Sequence, residues 1–163
     1  MNSNNLIKSK ERVKTFAEVY TPDWLVSDMC NTIPDEVWNS ITATFLEPAC
    51  GNGNFLAEIL RRKLEQCKEE RDGLKALNAI FGIDIQQDNV NESRERLLKM
   101  YIDRFPCASS LSVSLAIAIL HERIVCDNAL NPQTKTVKSW GITADKDYLK
   151  TIERRKKHDR RTN

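Results

Sequence analysis

The stretch Thr44 to Leu56, TFLEPACGNGNFL, constrains this chain more than any other. A short apolar run ends in an acid, a turn carries two glycines one residue apart, and an apolar pattern then resumes, which reads as strand, loop and helix. Glycine at 51 and 53 permits positive φ and lets a ligand come close to the main chain, because no Cβ stands in the way. The helix that follows turns its free amides toward negative charge. A small ligand is expected in this loop.

Around it the pattern alternates. Residues 1–12 read as a flexible lead-in, rich in Asn, Ser and Lys. Thr21-Pro22-Asp23 offers a hydroxyl for an N-cap, proline for the first helical position and an acid for the first turn, so a helix is expected over 22–33, ending near Pro34. Trp38 is expected to cover the core edge, and Ile41 to Leu46 reads as the first strand. After the glycine loop, Phe55, Leu56, Ile59, Leu60, Leu64 and Cys67 recur near the helical period, with Gly73 just beyond as a stop. Ala79 to Ile85 is a near-continuous apolar run, as expected of a strand buried on both faces. A helix from about Asp88 carries Val90, Leu97, Leu98, Tyr101, Ile102 and Phe105 on one side until Pro106 breaks it. Leu111 to Leu120 fits a short buried helix, and Arg123 to Cys126 a third strand. Thr134 to Trp140 could form another.

Strand, helix, strand, helix, strand implies parallel pairing through crossovers, hence an α/β doubly wound sheet. At 163 residues and 40% hydrophobic content there is material for about one domain, placed at residues 13–150, followed by a basic tail over 151–163. A terminal charge run of that kind reads first as a solvated tail and second as a polyphosphate-contacting arm. The formal charge of +2 announces no polyanion partner. Five cysteines without a CxxC pair and only two histidines argue against a disulfide framework and a metal site, and free thiols suit the cytoplasm. The most apolar run, Leu111 to Leu120, falls well short of the ~20 residues that cross a bilayer, so no membrane role is expected.

Three acids end three successive strands: Glu47, Asp84 and Asp127. Together they bracket the glycine loop at the carboxyl edge of the sheet, where open α/β sheets take ligands. An ionised carboxylate offers only acceptors, so Asp84 suits the hydroxyls of a ribose and Asp127 an exocyclic amine. The dinucleotide fingerprint fails, because Leu56 stands where its third small residue belongs, and there is no P-loop.

Glu47-Pro48-Ala49-Cys50-Gly51-Asn52-Gly53-Asn54-Phe55 resembles the S-adenosyl-L-methionine motif of amino-methylating DNA methyltransferases, particularly the adenine-N6 enzymes of restriction–modification systems. Glu18-Val19-Tyr20-Thr21-Pro22 resembles that family's N-terminal cofactor-contacting segment. Phe81-Gly82-Ile83-Asp84-Ile85 resembles its second cofactor motif, and Ile124-Val125-Cys126-Asp127-Asn128-Ala129-Leu130 the third. The resemblance implies a Rossmann-like sheet of the class I methyltransferase type. It implies that Tyr20, Thr21 and Pro22 border the methionine end of S-adenosyl-L-methionine, and that Glu47 with the loop from Pro48 and Ala49 through Cys50, Gly51, Asn52 and Gly53, and Phe55 behind it, holds the amino and carboxylate groups. It further implies that Asp84 with Ile85 takes the ribose side, and Asp127 with Ala129 the adenine.

One departure matters. Family members carry an [N/D/S]-P-P-[Y/F/W] loop after a fourth strand, which holds the target amine and stacks on the flipped base. This sequence contains no Pro-Pro; Asn131-Pro132-Gln133-Thr134 is the nearest approach and comes too early. No catalytic residue is therefore assigned, and the sheet is expected to be incomplete after its third strand. The first strand, central in the complete fold, would then have an open edge that invites self-association or a complementing methyltransferase half. The leading expectation is the cofactor-binding part of a DNA adenine methyltransferase, contacting DNA through another domain or subunit. The alternative is a catalytically inactive cofactor-binding remnant or interaction protein. A methyltransferase for small molecules or proteins is disfavoured by the Pro-Ala-Cys-Gly loop and the Thr21-Pro22 segment.

Overall fold

The computed structural model describes residues 6–129 and residue 140. By packing, the chain divides into two units, Met1–Cys126 and Asp127–Asn163. The helices and strands of the described residues all lie in the first: α1 (Lys10–Phe16), α2 (Asp23–Asn31), α3 (Asp35–Trp38), β1 (Phe45–Glu47), α4 (Asn54–Gln66), α5 (Glu70–Asn78), β2 (Ile80–Asp84), α6 (Gln87–Arg104), α7 (Ser110–Arg123) and β3 (Ile124–Cys126). The three strands are parallel and lie in the order β1-β2-β3, with Phe45 opposite Ile80 and Gly82 opposite Ile124. Helices cross between every pair of consecutive strands, so this is a mixed α/β unit with a parallel sheet, compatible with a Rossmann-like fold.

β2 is the buried centre. Ile80 and Ile83 are each 1% exposed, as a continuous apolar run between two neighbouring strands requires. α4 buries Leu56, Ile59, Leu60 and Leu64 and leaves Arg61 and Glu65 outside, where they pair. The core joins these to Val90, Leu97 and Tyr101 of α6, Leu120 of α7 and Ile124 of β3. Trp38 covers the edge as expected, its ring stacked on Phe45 at 5.0 Å and 22°.

The first strand is shorter than the expected Ile41 to Leu46, and Lys63 supplies the reason. Its side chain is 1% exposed, and Nζ donates to the carbonyls of Ser40 (3.2 Å), Ile41 (2.8 Å) and Ala43 (2.7 Å). Carbonyls gathered around one ammonium are turned away from a ladder, so pairing begins at Phe45.

Gly73 does not end a helix. It lies inside α5, which periodicity did not reveal, and a Cβ there would stand 2.4 Å from Cε2 of Phe105 and 2.8 Å from Cε2 of Tyr101. The glycine lets α5 sit close to the end of α6. α7 also differs from a fully buried helix: Ser112, Ala116 and Leu120 form its inward row, while Leu111 is 68% and Leu115 45% exposed. α2 begins at Asp23 with Pro22 preceding it and no side-chain cap, so Thr21 does not cap it.

The lead-in carries structure from Leu6 onward. Ser9 caps α1 by accepting from the Arg12 amide, and α1 ends on Ala17 in the left-handed region. In the second unit, the Asn128 amide donates to Asp127 Oδ1 at 2.8 Å. Residues 134–139 of the expected fourth strand and the basic tail over 151–163 lie outside the described residues. No helix among the described residues is long and apolar enough to cross a membrane.

Candidate functional site

The glycine loop between β1 and α4 is left-handed at both glycines, with φ +52° at Gly51 and +87° at Gly53. It is tied to β2 by the Cys50 amide, which donates to the Ile83 carbonyl at 2.9 Å, and closed by the Gly53 amide on the Cys50 carbonyl at 2.9 Å. The space freed by the missing Cβ atoms is taken by the protein itself. The Tyr20 ring approaches the Cβ position of Gly51 to 3.2 Å, and Ser93 Oγ that of Gly53 to 2.8 Å. Ser93 Oγ also donates to the Gly51 carbonyl at 3.0 Å. At these two glycines, then, side chains make the close approach expected of a ligand. Burial, followed by the negative charges of Asp84 and Glu47, pushes the Cys50 thiol up to about 12, so it stays protonated and unreactive at neutral pH.

Asp84, the last residue of β2, faces this loop. Its Oδ2 accepts from the Gly51 amide at 2.9 Å, and its Oδ1 from the Gln86 amide at 2.8 Å and from Asn89 Nδ2 at 3.3 Å. An ionised carboxylate has about four acceptor positions, so the remaining capacity lies on Oδ2.

The segment before α2 is locked to this pair. Tyr20 is 8% exposed; its amide donates to the Leu6 carbonyl at 2.7 Å, and its hydroxyl to Asn89 Oδ1 at 2.9 Å. Glu18 accepts from Arg12 at 2.8 and 2.5 Å and from Asn89 Nδ2 at 2.9 Å. Burial pushes the Glu18 carboxyl up, but hydrogen bonds from Arg12 and Asn89 outweigh it and hold the group below the usual carboxylate range. Arg12 Nη1 reaches Asp88 at 2.6 Å, and Lys8 Nζ reaches Asp88 at 3.1 Å and Glu92 at 2.8 Å. The Arg12 hydrogen bond, with Lys8 assisting, holds Asp88 at about 2. The Thr21 carbonyl accepts from Asn54 Nδ2 at 2.8 Å, and Asn54 Oδ1 accepts from Arg96 at 2.6 Å. Tyr20, Thr21 and Pro22 are thereby carried to the mouth of the glycine loop.

The other candidates are less engaged. Glu47 closes β1; burial raises its carboxyl, which is opposed only by a 3.3 Å bond from the Ala49 amide across Pro48. Asn52 Oδ1 is buried and has no partner among the described residues, while its Nδ2 reaches Glu92 at 3.3 Å. Phe55 packs on the core edge, and Ile85 stands 52% exposed beyond β2. α4 starts without a side-chain cap or an acid in its first turn. Asp127 and Ala129 follow β3 in the chain and belong to the second unit.

These features fit an amino-acid-bearing nucleoside. The half-buried Glu47 carboxylate, with a single 3.3 Å bond, suits an ammonium, the orphaned buried oxygen of Asn52 suits a donor, and the uncapped start of α4 suits a carboxylate. The structure adds Asn89 and Ser93, which lie outside the motifs, and gives a role to Asn54, which stands in the glycine motif without an assigned contact. Asn89, Ser93, Leu97 and Tyr101 form one buried row of α6, so two polar residues on an otherwise apolar helical face were the available signal.

No protein-family profile matches the chain, and no solved structure matches it. The Type II methyltransferase M.VspI of Vibrio sp. (strain 343) is 31% identical to it over 93 residues, which are 57% of this chain and 18% of that protein. This chain thus spans a minor part of that relative's length, and over more than half of its own length it is related to a methyltransferase.

Proposed function

We propose that this chain is the S-adenosyl-L-methionine-binding portion of a DNA adenine-N6 methyltransferase. The observation that carries the reading is the fixed carboxylate of Asp84, held at the end of the central strand by the Gly51 amide of the glycine loop. The kinship to a Type II methyltransferase supports it.

The cofactor supplies a sulfonium-bound methyl group. In this reading Asp84 accepts from the ribose, Glu47 receives the ammonium, and the amides at the start of α4 receive the carboxylate. Burial raises the Glu47 carboxyl, and a cation beside it would act in the opposite direction and favour the charged form. Tyr20 and Thr21 fix the wall at the methionine end. Asp127 is given the adenine amine by family resemblance alone. Acceleration would come from positioning and electrostatics.

The residues that hold the target adenine would come from a complementing half carrying a Pro-Pro-aromatic loop, since this sequence has no Pro-Pro. Among the described residues β1 is hydrogen-bonded to a strand on one side only, and we assign that edge to the complementing half or to a second copy. The second reading is a cofactor-binding protein that methylates nothing.

Titration calorimetry with S-adenosyl-L-methionine on the wild type and on Asp84→Ala tests the site: tight binding by the first and measurable but much weaker binding by the second are expected, and equal affinities would sink it. Tritiated methyl transfer to DNA, with and without a Pro-Pro-aromatic partner, separates the two readings. Transfer by the isolated chain would refute the division of labour.

A further inference from the structure

We propose that Asn89 is a positioning residue that couples the N-terminal arm, Leu6 to Tyr20, to the Asp84 carboxylate, so that arm and carboxylate respond to a bound nucleoside as one unit. This rests on the reading of Asp84 as the ribose-binding group.

The side chain of Asn89 is 1% exposed, and its hydrogen-bonding capacity is fully used. Oδ1 accepts from Tyr20 Oη at 2.9 Å and from Lys8 Nζ at 2.8 Å. Nδ2 donates to Glu18 Oε2 at 2.9 Å and to Asp84 Oδ1 at 3.3 Å. An amide has two donor hydrogens and two acceptor lone pairs, and here each meets a partner of the opposite kind. The orientation is forced. Turning the amide over would set its NH2 against an ammonium and its oxygen against two carboxylates.

The obvious replacements fail at this position. Aspartate would bring a third negative charge between Glu18 and Asp84, and alanine or serine would leave Glu18 and Asp84 without their shared donor. With Oδ1 of Asp84 committed to Asn89 and Gln86, acceptor capacity is concentrated on Oδ2, beside the Gly51 amide. The arm cannot loosen without disturbing that arrangement, because Tyr20, Glu18 and Lys8 all converge on the same amide. Coupling between two sites is reciprocal, so an arm whose order favours the ligand at Asp84 is in turn tightened by that ligand.

The test is a double-mutant cycle on the full chain, read by calorimetry with S-adenosyl-L-methionine and with adenosine as probes. Asn89→Ala should weaken both ligands by about tenfold, and Asn89→Ala combined with Asp84→Ala should bind no worse than Asp84→Ala alone. Deuterium uptake across residues 6–20 should fall on ligand binding in the wild type and stay unchanged in Asn89→Ala. If circular dichroism shows that Asn89→Ala does not fold, Tyr20→Phe takes its place. That variant keeps the ring on Gly51, removes one donor to Asn89, and should weaken binding about threefold with the same non-additivity. Wild-type affinity in the variant, or losses that add in the double variant, would overturn the role of Asn89 while leaving the cofactor site standing. No binding by the wild-type chain would take down the cofactor reading and this inference together.

Discussion

The ring of Tyr20 lies over Gly51, with Cε1 and Cδ1 at 3.2 and 3.3 Å from the position a Cβ would occupy. Two penalties coincide for any side chain at 51: a φ of +52° that L-residues resist, and a ring that is itself pinned by its hydroxyl to Asn89. Gly51→Ala should therefore destabilise the protein by about 1–2 kcal/mol, measured by urea unfolding. It should also displace Tyr20, seen as a changed near-ultraviolet circular dichroism signal.

At Gly73 two effects compete. Alanine is the better helix former by about 1 kcal/mol, but its Cβ would fall 2.4 Å from the Phe105 ring and 2.8 Å from the Tyr101 ring. Both rings are held in the core, and overpacking of that kind costs about 1–3 kcal/mol. The clash wins, so Gly73→Ala should lower the unfolding midpoint. A higher midpoint would show that α5 can shift away from α6.

Ala17 is the reverse case. It ends α1 at φ +53°, the one non-glycine residue with positive φ among the described residues. Ala17→Gly should remove strain of roughly 1 kcal/mol, with part of the gain lost to a more flexible unfolded chain. The readout is slower amide exchange across residues 10–20, since the change acts on the arm rather than on the core.

Lys63 offers a sharper loss. Lys63→Met keeps the packing of the stem and leaves the carbonyls of Ser40, Ile41 and Ala43 without their common donor. Uncovering three acceptors in this partly exposed turn should cost about 1–3 kcal/mol. Unchanged stability would mean that the turn before β1 re-forms around water.

The acid limb of the stability curve should carry the mark of Glu58. Hydrogen bonds from Arg61, against the opposing push of burial, and from Arg62 hold its carboxyl at about 2 instead of 4.5. As pH falls from about 4.5 to 2, the unfolded chain takes up this proton before the folded one does, so the stabilisation is whole above that window and is lost within it. The pair is partly solvated, and its share is about 1 kcal/mol. Glu58→Gln should flatten the slope of stability against pH in that range, with little change near pH 7 beyond the constant loss of the pair.

Much of this architecture was legible in the residues. The apolar run of β2, the helical period of α4 and α6, and the punctuation by Gly51, Gly53 and Pro106 each depend on neighbours in sequence, and those elements stand where they were expected. α5 was missed because Gly73 carries two meanings in sequence, helix stop or close packing, and only the rings of Tyr101 and Phe105 choose between them. The short β1 was missed because Lys63 looks like an ordinary surface lysine until α4 is laid against the turn before the strand.

The same division runs through the candidate site. The sequence by itself determined a strand, a glycine loop and a helix, with acids at the strand ends, because turn chemistry and periodicity are local properties. Only the tertiary structure decided that Tyr20 and Ser93, residues far apart in the chain, take the space above the two glycines. It also decided that Asn89 gathers the arm and Asp84 around one amide. Hydrogen bonds across about seventy residues have no local signature; they exist because the packing of α6 beside β2 puts a polar row of that helix under the arm.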